Sequence, residues 1–376
     1  MADTSVRYFD STMSGAPSLS GTAGTLISVL NACLVNGFGS VTLSSLVVSS
    51  NVATATVSGG HNLQMIVGVN SVSPGVGPVI RIAGATPSSL NGDWRIASVP
   101  TSTTFTFATT GISDQTATGT ITAKRAPAGF TLAYSGTNTA AYSRSIGSAT
   151  AMLLSIDDTP AQYPALVMYE VMTAVLTGTG PAPASGSFYT AKSTTANSTA
   201  RPWRLFADQY AFYFFAQPDS SNWLTSLFFG DIIPYKSGDQ YHCGLIANSI
   251  ANTASYIYQL AGATNAALLS RDSTQTGSPV VLGRYSHQRS GAQMGVAGNP
   301  YPALDGAVHC CPVEAWESSV GARGLMPGLY NPLHAAQPPD SYLVDNIPQL
   351  PGRQLLAVLP GSNGYRALID IVGPWR

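Results

Sequence analysis

The residues able to do acid–base work are few and lie far apart. The only glutamates are Glu170, Glu314 and Glu317, and the acidic stretches that stand out are Asp157 and Asp158 in "SIDDTPAQ", Asp231 in "FFGDII" and Asp239 in "SGDQY". Two carboxylates framing a glycosidic bond would be the chemistry open to such a set. A paired Asp before Thr-Pro, and an Asp beside Gly, are also the ordinary chemistry of turns, and the sequence alone does not bring these groups together. Five histidines (His61, His242, His287, His309, His334) lack metal-ligand spacing. "SGGHNLQ" and "NPLHAAQ" set two of them in Gly- or Pro-marked turns, where hydrogen bonding is the expected role.

Cys33, Cys243, Cys310 and Cys311 do not form a disulfide pattern for a chain of 376 residues. In "YHCG" and "AVHCCPVEAW" His and Cys are adjacent, whereas metal ligands are usually two to four residues apart and neighbours on a strand point to opposite faces. Buried structural thiols are therefore expected, with no metal and no cofactor. The sequence has no Gly-x-Ser-x-Gly nucleophile turn, no phosphate-binding loop and no dinucleotide fingerprint. No catalytic residue is assigned, and a non-enzymatic protein is expected. Aromatic residues that could stack on sugars occur in "QYAFYFF" (Tyr210, Phe212, Tyr213) and "SSNWLTSLFF" (Trp223, Phe228, Phe229), although alternation along a strand would place them on the two faces of a core.

The elements that must position these groups read as mainly β. Residues 1–49 hold an amphipathic helix over Leu19 to Val35, with Leu26, Ile27, Leu30, Cys33 and Leu34 on one stripe. Ser20, Thr22 and Thr25 are candidate caps, and "NGFG" stops the helix. From 50 to 124 short β-type runs, among them "VATATVS", "PVIRIAG" and "TFTFATT", alternate with Gly, Pro, Asn and Asp turns, the texture of a small barrel inserted in a host domain. Such an insert would project outward, and its removal would leave the host folded. Residues 125–376 read as the rest of a β-sandwich or sheet domain, with the aromatic-rich 201–248 stretch at its centre and long irregular Pro/Gly-rich segments such as "RGLMPGLYNPLHAAQPPDSYL" toward the C-terminus.

Charged residues make up only 9% of the chain and the formal net charge is −1. Nucleic acid and anionic membranes require clustered Lys and Arg, so neither is an expected partner. No apolar run approaches a membrane span, and no secretory leader is read at the N-terminus, so synthesis and folding in a cytoplasm are expected. A surface so poor in charge is weakly protected against association, which points to coverage by neighbouring subunits.

The run "VATATVSGGHNLQMIVGV…VIRIAGATPSSLNGDWRIASVPTSTTFTFATTG…ATGTITA" resembles a module of tailed-phage and prophage virion proteins. It is similar to the small β-barrel known as the first catalytic cysteine half-domain of ubiquitin-activating enzymes. That likeness implies a fold and no ubiquitin chemistry. The flanking "VRYFDSTMSGAPSLSGTAGTLISVLNACLVNGFGS", "APAGFTLAYSGTNTAAYSRS", "RPWRLFADQYAFYFF" and "RALIDIVGPWR" resemble uncharacterised structural proteins of phages and prophages of Gram-negative bacteria. The resemblance implies a virion protein assembled in the bacterial cytoplasm as a symmetric homo-oligomer with other virion proteins, at the tail, tail tip or baseplate. Capsid decoration or a head fibre is the alternative address. Binding a host surface glycan through Trp223 and Asp231 is the alternative role.

Overall fold

Between Trp203 and Asp231 the strand positions are mostly apolar and dominated by aromatic residues, a pattern that requires cover on both faces. The computed structural model describes residues 6–221, 224–251, 266–285, 301–317, 320–334, 337–360 and 366–376. In it Leu205, Phe212, Phe214, Leu227 and Phe229 enter one core, while Phe206, Tyr213, Phe215 and Phe228 enter another. Each fully buried large side chain contributes about 1.5–3 kcal/mol, so these strands anchor the fold.

They belong to a 13-stranded antiparallel sheet. Its path runs from Arg7–Asp10 through Trp203–Ala207, Ala211–Ala216, Thr225–Asp231, Cys243–Ile246, Ala267–Leu269, Val280–Tyr285, Cys310–Glu317 and Gly321–Pro332, then through Ala367–Asp370 and Leu355–Val358 to Leu343–Val344. Ile233–Pro234, directly after Thr225–Asp231, pairs with Gly321–Pro332. The sheet thereby curls back on itself around Phe228, Ile246, Leu269, Leu282, Val313 and Met326. On the outer face of the early strands lies a second sheet of five strands, Phe130–Gly136, Thr139–Arg144, Leu153–Asp157, Ala165–Tyr169 and Phe188–Tyr189, with the N-terminal helix beside it.

The helix is shorter than its apolar spacing suggests. It runs over Thr25–Leu30 and continues in π-helical turns over Asn31–Asn36. Leu26, Val29, Leu30, Cys33 and Leu34 are buried, whereas Ile27 is only partly so. The chain before it is extended, because Leu19 bridges to Arg201. None of the expected caps acts as one: the capping position is Gly24, and no local side chain accepts an amide of the first turn. The acceptor comes from 132 residues away, since Asp158 Oδ2 receives the amides of Leu26 (2.8 Å) and Ile27 (3.3 Å). Asp158 Oδ1 is bonded to Lys192 Nζ, which also donates to the Thr22 carbonyl at 2.7 Å. Both side chains are fully buried.

The inserted module is a barrel. Its strands are Phe38–Thr42, Ser45–Ser49, Val52–Thr56, Val79–Ala83, Gly92–Thr101, Thr104–Ala108, Gln115–Thr116 and Thr122–Arg125. The bent 38–49 segment pairs along the 115–125 segment, and each is joined to the remaining strands, so the ladder closes. In "VATAT" and "TFTFA" alternate residues point inward onto Trp94, Ile80 and Leu46. The pairing starts at Phe38, ahead of the residue-50 boundary read from the sequence. That boundary was misleading because "SVTLSSLVVSS" has the same β texture as the host.

The barrel is also docked rather than projecting freely. Val76, Ile66 and Val72 pack into the core inside the curled sheet. Asn70 exchanges two 2.9 Å hydrogen bonds with the backbone of Leu343 on the last strand of that sheet. Arg95 donates to the carbonyls of Val6 (3.0 Å) and Val372 (3.1 Å), and Arg7 meets Asp93 at 2.7 Å. Phe38 and Arg125 are paired neighbours, so the barrel's two ends leave the host together. Excising 50–124 is accordingly expected to yield insoluble chain, because Ser45–Ser49 loses every partner strand. Excising 38–125 across a short Gly-containing linker is expected to leave a cooperative unfolding transition at a lowered denaturant midpoint. Soluble yield and urea titration of both deletion variants check this.

Toward the C-terminus strands alternate with irregular connections. Within "RGLMPGLYNPLHAAQPPDSYL" the first part is not irregular: Gly321–Pro332 is a strand. Pro327 and Gly328 misled the sequence reading, since they lie where the register shifts between Pro312/Tyr330 and Glu314/Leu325 and the ladder has no bond to lose. Gly328 has φ +62°, and a Cβ there would lie 2.1 Å from the Trp375 indole nitrogen.

Candidate functional site

Several of the sequence-selected groups converge beside a cleft of about 480 Å³ walled by Ser148–Met152, Glu170–Val171 and Gly238–His242. Asp231 ends the strand Thr225–Asp231 below it and is fully buried. Its Oδ1 accepts from Arg144 Nη2 (3.0 Å) and Thr150 Oγ1 (2.6 Å), and its Oδ2 from the Thr150 amide (2.8 Å). Arg144 also reaches Cys243 Sγ at 3.3 Å and lies 4.7 Å above the Phe229 ring. Arg144 and Thr150 belong to the five-stranded layer and Asp231 to the large sheet, so this cluster is a tie between layers.

His242 Nδ1 is hydrogen-bonded to the Asp239 carbonyl. A carbonyl only accepts, so Nδ1 carries a proton and Nε2, 3.7 Å from Asp231 Oδ2, faces the carboxylate without a hydrogen bond. Asp239 is gripped by Arg323 through two bonds of 2.8 and 3.0 Å, and Arg323 also binds Glu317 at 3.0 Å. At the rim Glu170 and Arg271 form a two-bond pair, with the guanidinium 4.4 Å over the Tyr241 ring. The carboxylates thus meet in one region, but each is committed to an arginine. Asp231 is sealed behind Thr150, so it and Asp239 do not frame a common substrate position.

Burial pushes the Asp239 carboxyl up, but the Arg323 hydrogen bonds, the Tyr241 amide and the nearby cations outweigh it and hold the group below its ordinary 3.8. A depressed carboxyl stabilises the fold fully above the unfolded value and loses that contribution as pH falls through the folded one. Asp158, Asp208 and Asp370 have the opposite sign, since burial raises each of them. The difference between proteins isolates the site: the urea midpoint of the parent is expected to drop more steeply below pH 3.8 than that of Asp239→Asn. Parallel acid limbs would contradict it.

The aromatic candidates do not form a sugar platform. Phe212, Tyr213, Phe228 and Phe229 are buried in the two cores. Tyr210 is half-buried under Arg376, 4.3 Å over its ring, with its hydroxyl 2.6 Å from Ser148 Oγ. Trp223 and His287 lie outside the described residues. The remaining histidines hydrogen-bond as expected in their turns: His61 Nδ1 accepts the Leu63 amide at 3.0 Å, and His334 Nε2 accepts the His309 amide at 2.8 Å.

Asp157 serves a turn, accepting the Thr159 amide at 3.0 Å, whereas its neighbour Asp158 caps the distant helix, a role with no local sequence signal. All four cysteines are thiols; Cys33, Cys243 and Cys310 are buried and Cys311 is half-buried. Burial pushes Cys243 up to about 11 and Cys310 up to about 12, which keeps them protonated and unreactive. Among the described residues no group of three His, Cys, Asp or Glu is placed to hold a metal.

A larger cleft, about 610 Å³, separates the edge strand Arg7–Asp10 from barrel residues 62–69. Arg204 there is neutralised by Asp340 through bonds of 3.0 and 2.7 Å. Arg125 is 3% exposed and donates to the Asn62 carbonyl at 3.0 Å, while its Nε and Nη1 have no hydrogen-bond partner. Neither atom opens to solvent, so Arg125 presents no charge to the cleft. No protein-family model matches this chain, and no curated protein compared with it is similar to it.

Proposed function

We propose that this chain is a non-enzymatic structural protein of a tailed bacteriophage virion, held at the tail, tail tip or baseplate in a symmetric homo-oligomer with other virion proteins. The observation that carries the reading is where the scarce charge goes. In a chain with 9% charged residues, the buried pairs Arg144–Asp231, Lys192–Asp158, Arg323–Asp239 and Arg7–Asp93 each join separate parts of the fold. Groups spent in this way fix geometry, which is the work of a scaffold. What remains outside is largely Ser, Thr, Gly and Ala, a surface suited to cover by neighbours. The resemblance of the barrel and its flanks to phage virion proteins supports the same reading.

Quantitative mass spectrometry of density-purified particles tests it. The expected result is this chain in fixed ratio to the major tail proteins, at a copy number set by tail symmetry. A ratio that follows capsid geometry would move the protein to the head, and absence from particles would overturn the reading.

A further inference from the structure

Among the described ion pairs, Lys192–Asp158 is the one whose cation is a lysine, a primary amine able to act as a nucleophile. The amine and the carboxyl are both fully buried, and their polar atoms are in direct contact. The other groups around them are Thr22, whose carbonyl accepts from Nζ at 2.7 Å, and the amides of Leu26 and Ile27, which donate to Oδ2 at 2.8 and 3.3 Å. Burial acts on each partner toward its neutral form, raising the Asp158 carboxyl and lowering the Lys192 amine. Passing one proton from the ammonium to Oδ1 through that contact gives an amine against a carboxylic acid, and with two N–H donors on the oxygen that would carry developing charge, this form of the pair has the arrangement that amide condensation requires.

We infer that Lys192 and Asp158 condense to an intramolecular isopeptide bond. The Nζ lone pair attacks Asp158 Cγ, forming the N–C bond, while negative charge collects on Oδ2 under the Leu26 and Ile27 amides. The Cγ–Oδ1 bond then breaks. A proton passes from Nζ to Oδ1 through the contact already joining them, and Oδ1 leaves as water. No oxidant, cofactor or other reactant is consumed. The product keeps every neighbouring contact, since Oδ2 remains the acceptor for the two amides and the remaining Nζ–H still donates to Thr22. The bond would fasten the loop after Leu153–Asp157 to the segment after Phe188–Tyr189, beside the N-terminal helix.

The intact mass of the denatured full chain tests this directly. Condensation makes the chain lighter than its sequence by one water. Trypsin gives a second readout. It cuts after Arg144 and, without the bond, after Lys192, whereas Pro202 protects Arg201 so that the next cut follows Arg204. The expected product is an uncut 145–204 peptide, one water light, whose fragmentation joins residues 158 and 192. Asp158→Ala and Lys192→Met should both show the full sequence mass and restore or remove the cut as their residues dictate; mass needs no folded protein, so poor folding does not obscure it. An unmodified chain at full sequence mass, cleaved after Lys192, would overturn the inference.

Discussion

Asp158→Ala is expected to lower stability by at least about 3–5 kcal/mol, the range for stranding one member of a buried pair, with the loss of the Lys192–Asp158 cross-link adding to it. The substitution leaves Lys192 Nζ buried with only the Thr22 carbonyl, and it leaves the Leu26 and Ile27 amides without their acceptor. A lost helix cap alone costs about 1 kcal/mol, so most of the effect comes from the stranded amine. Lys192→Met in the Asp158→Ala background should recover part of the loss, because the buried unpaired amine disappears while the uncapped amides remain. Urea unfolding of the parent, the single variant and the double variant measures each step. Equal stability of the single and double variants would show that the stranded amine is not the source.

The second large effect is expected at the interlayer tie. Asp231→Ala should cost about 3–5 kcal/mol by leaving Arg144 in a fully buried position and the Thr150 amide without its acceptor. Arg144→Met combined with Asp231→Leu should be far milder, since both charges then leave together and apolar bulk replaces them. The comparison separates a structural tie from a catalytic dyad in a way that activity assays do not. A fully stable Asp231→Ala protein would mean that the layers are held without this cluster.

Much of the fold was legible in the sequence because strands report themselves locally. "VATAT" and "TFTFA" alternate as barrel strands must, and the aromatic-rich stretches "WRLFA", "AFYFFA" and "SLFFG" between turns announced a central sheet. Sequence reading failed where the partner is remote. Nothing near Thr25 reveals that its helix is capped by Asp158, and nothing in "SGDQY" reveals Arg323. The Pro-Gly pair at 327 and 328 suggested irregular chain because local chemistry cannot show that the ladder is already broken there. The barrel's start was hidden for a related reason, since host and insert share one β texture and only pairing separates them.

The role proposed for the chain is that of a fixed part of a phage particle. Gold labelling of purified virions with an antibody to this chain, viewed by electron microscopy, tests it most directly. Label is expected at the tail or its tip, at matching positions on every particle. Particles that carry no label, in a preparation where the antibody recognises the purified chain, would contradict it.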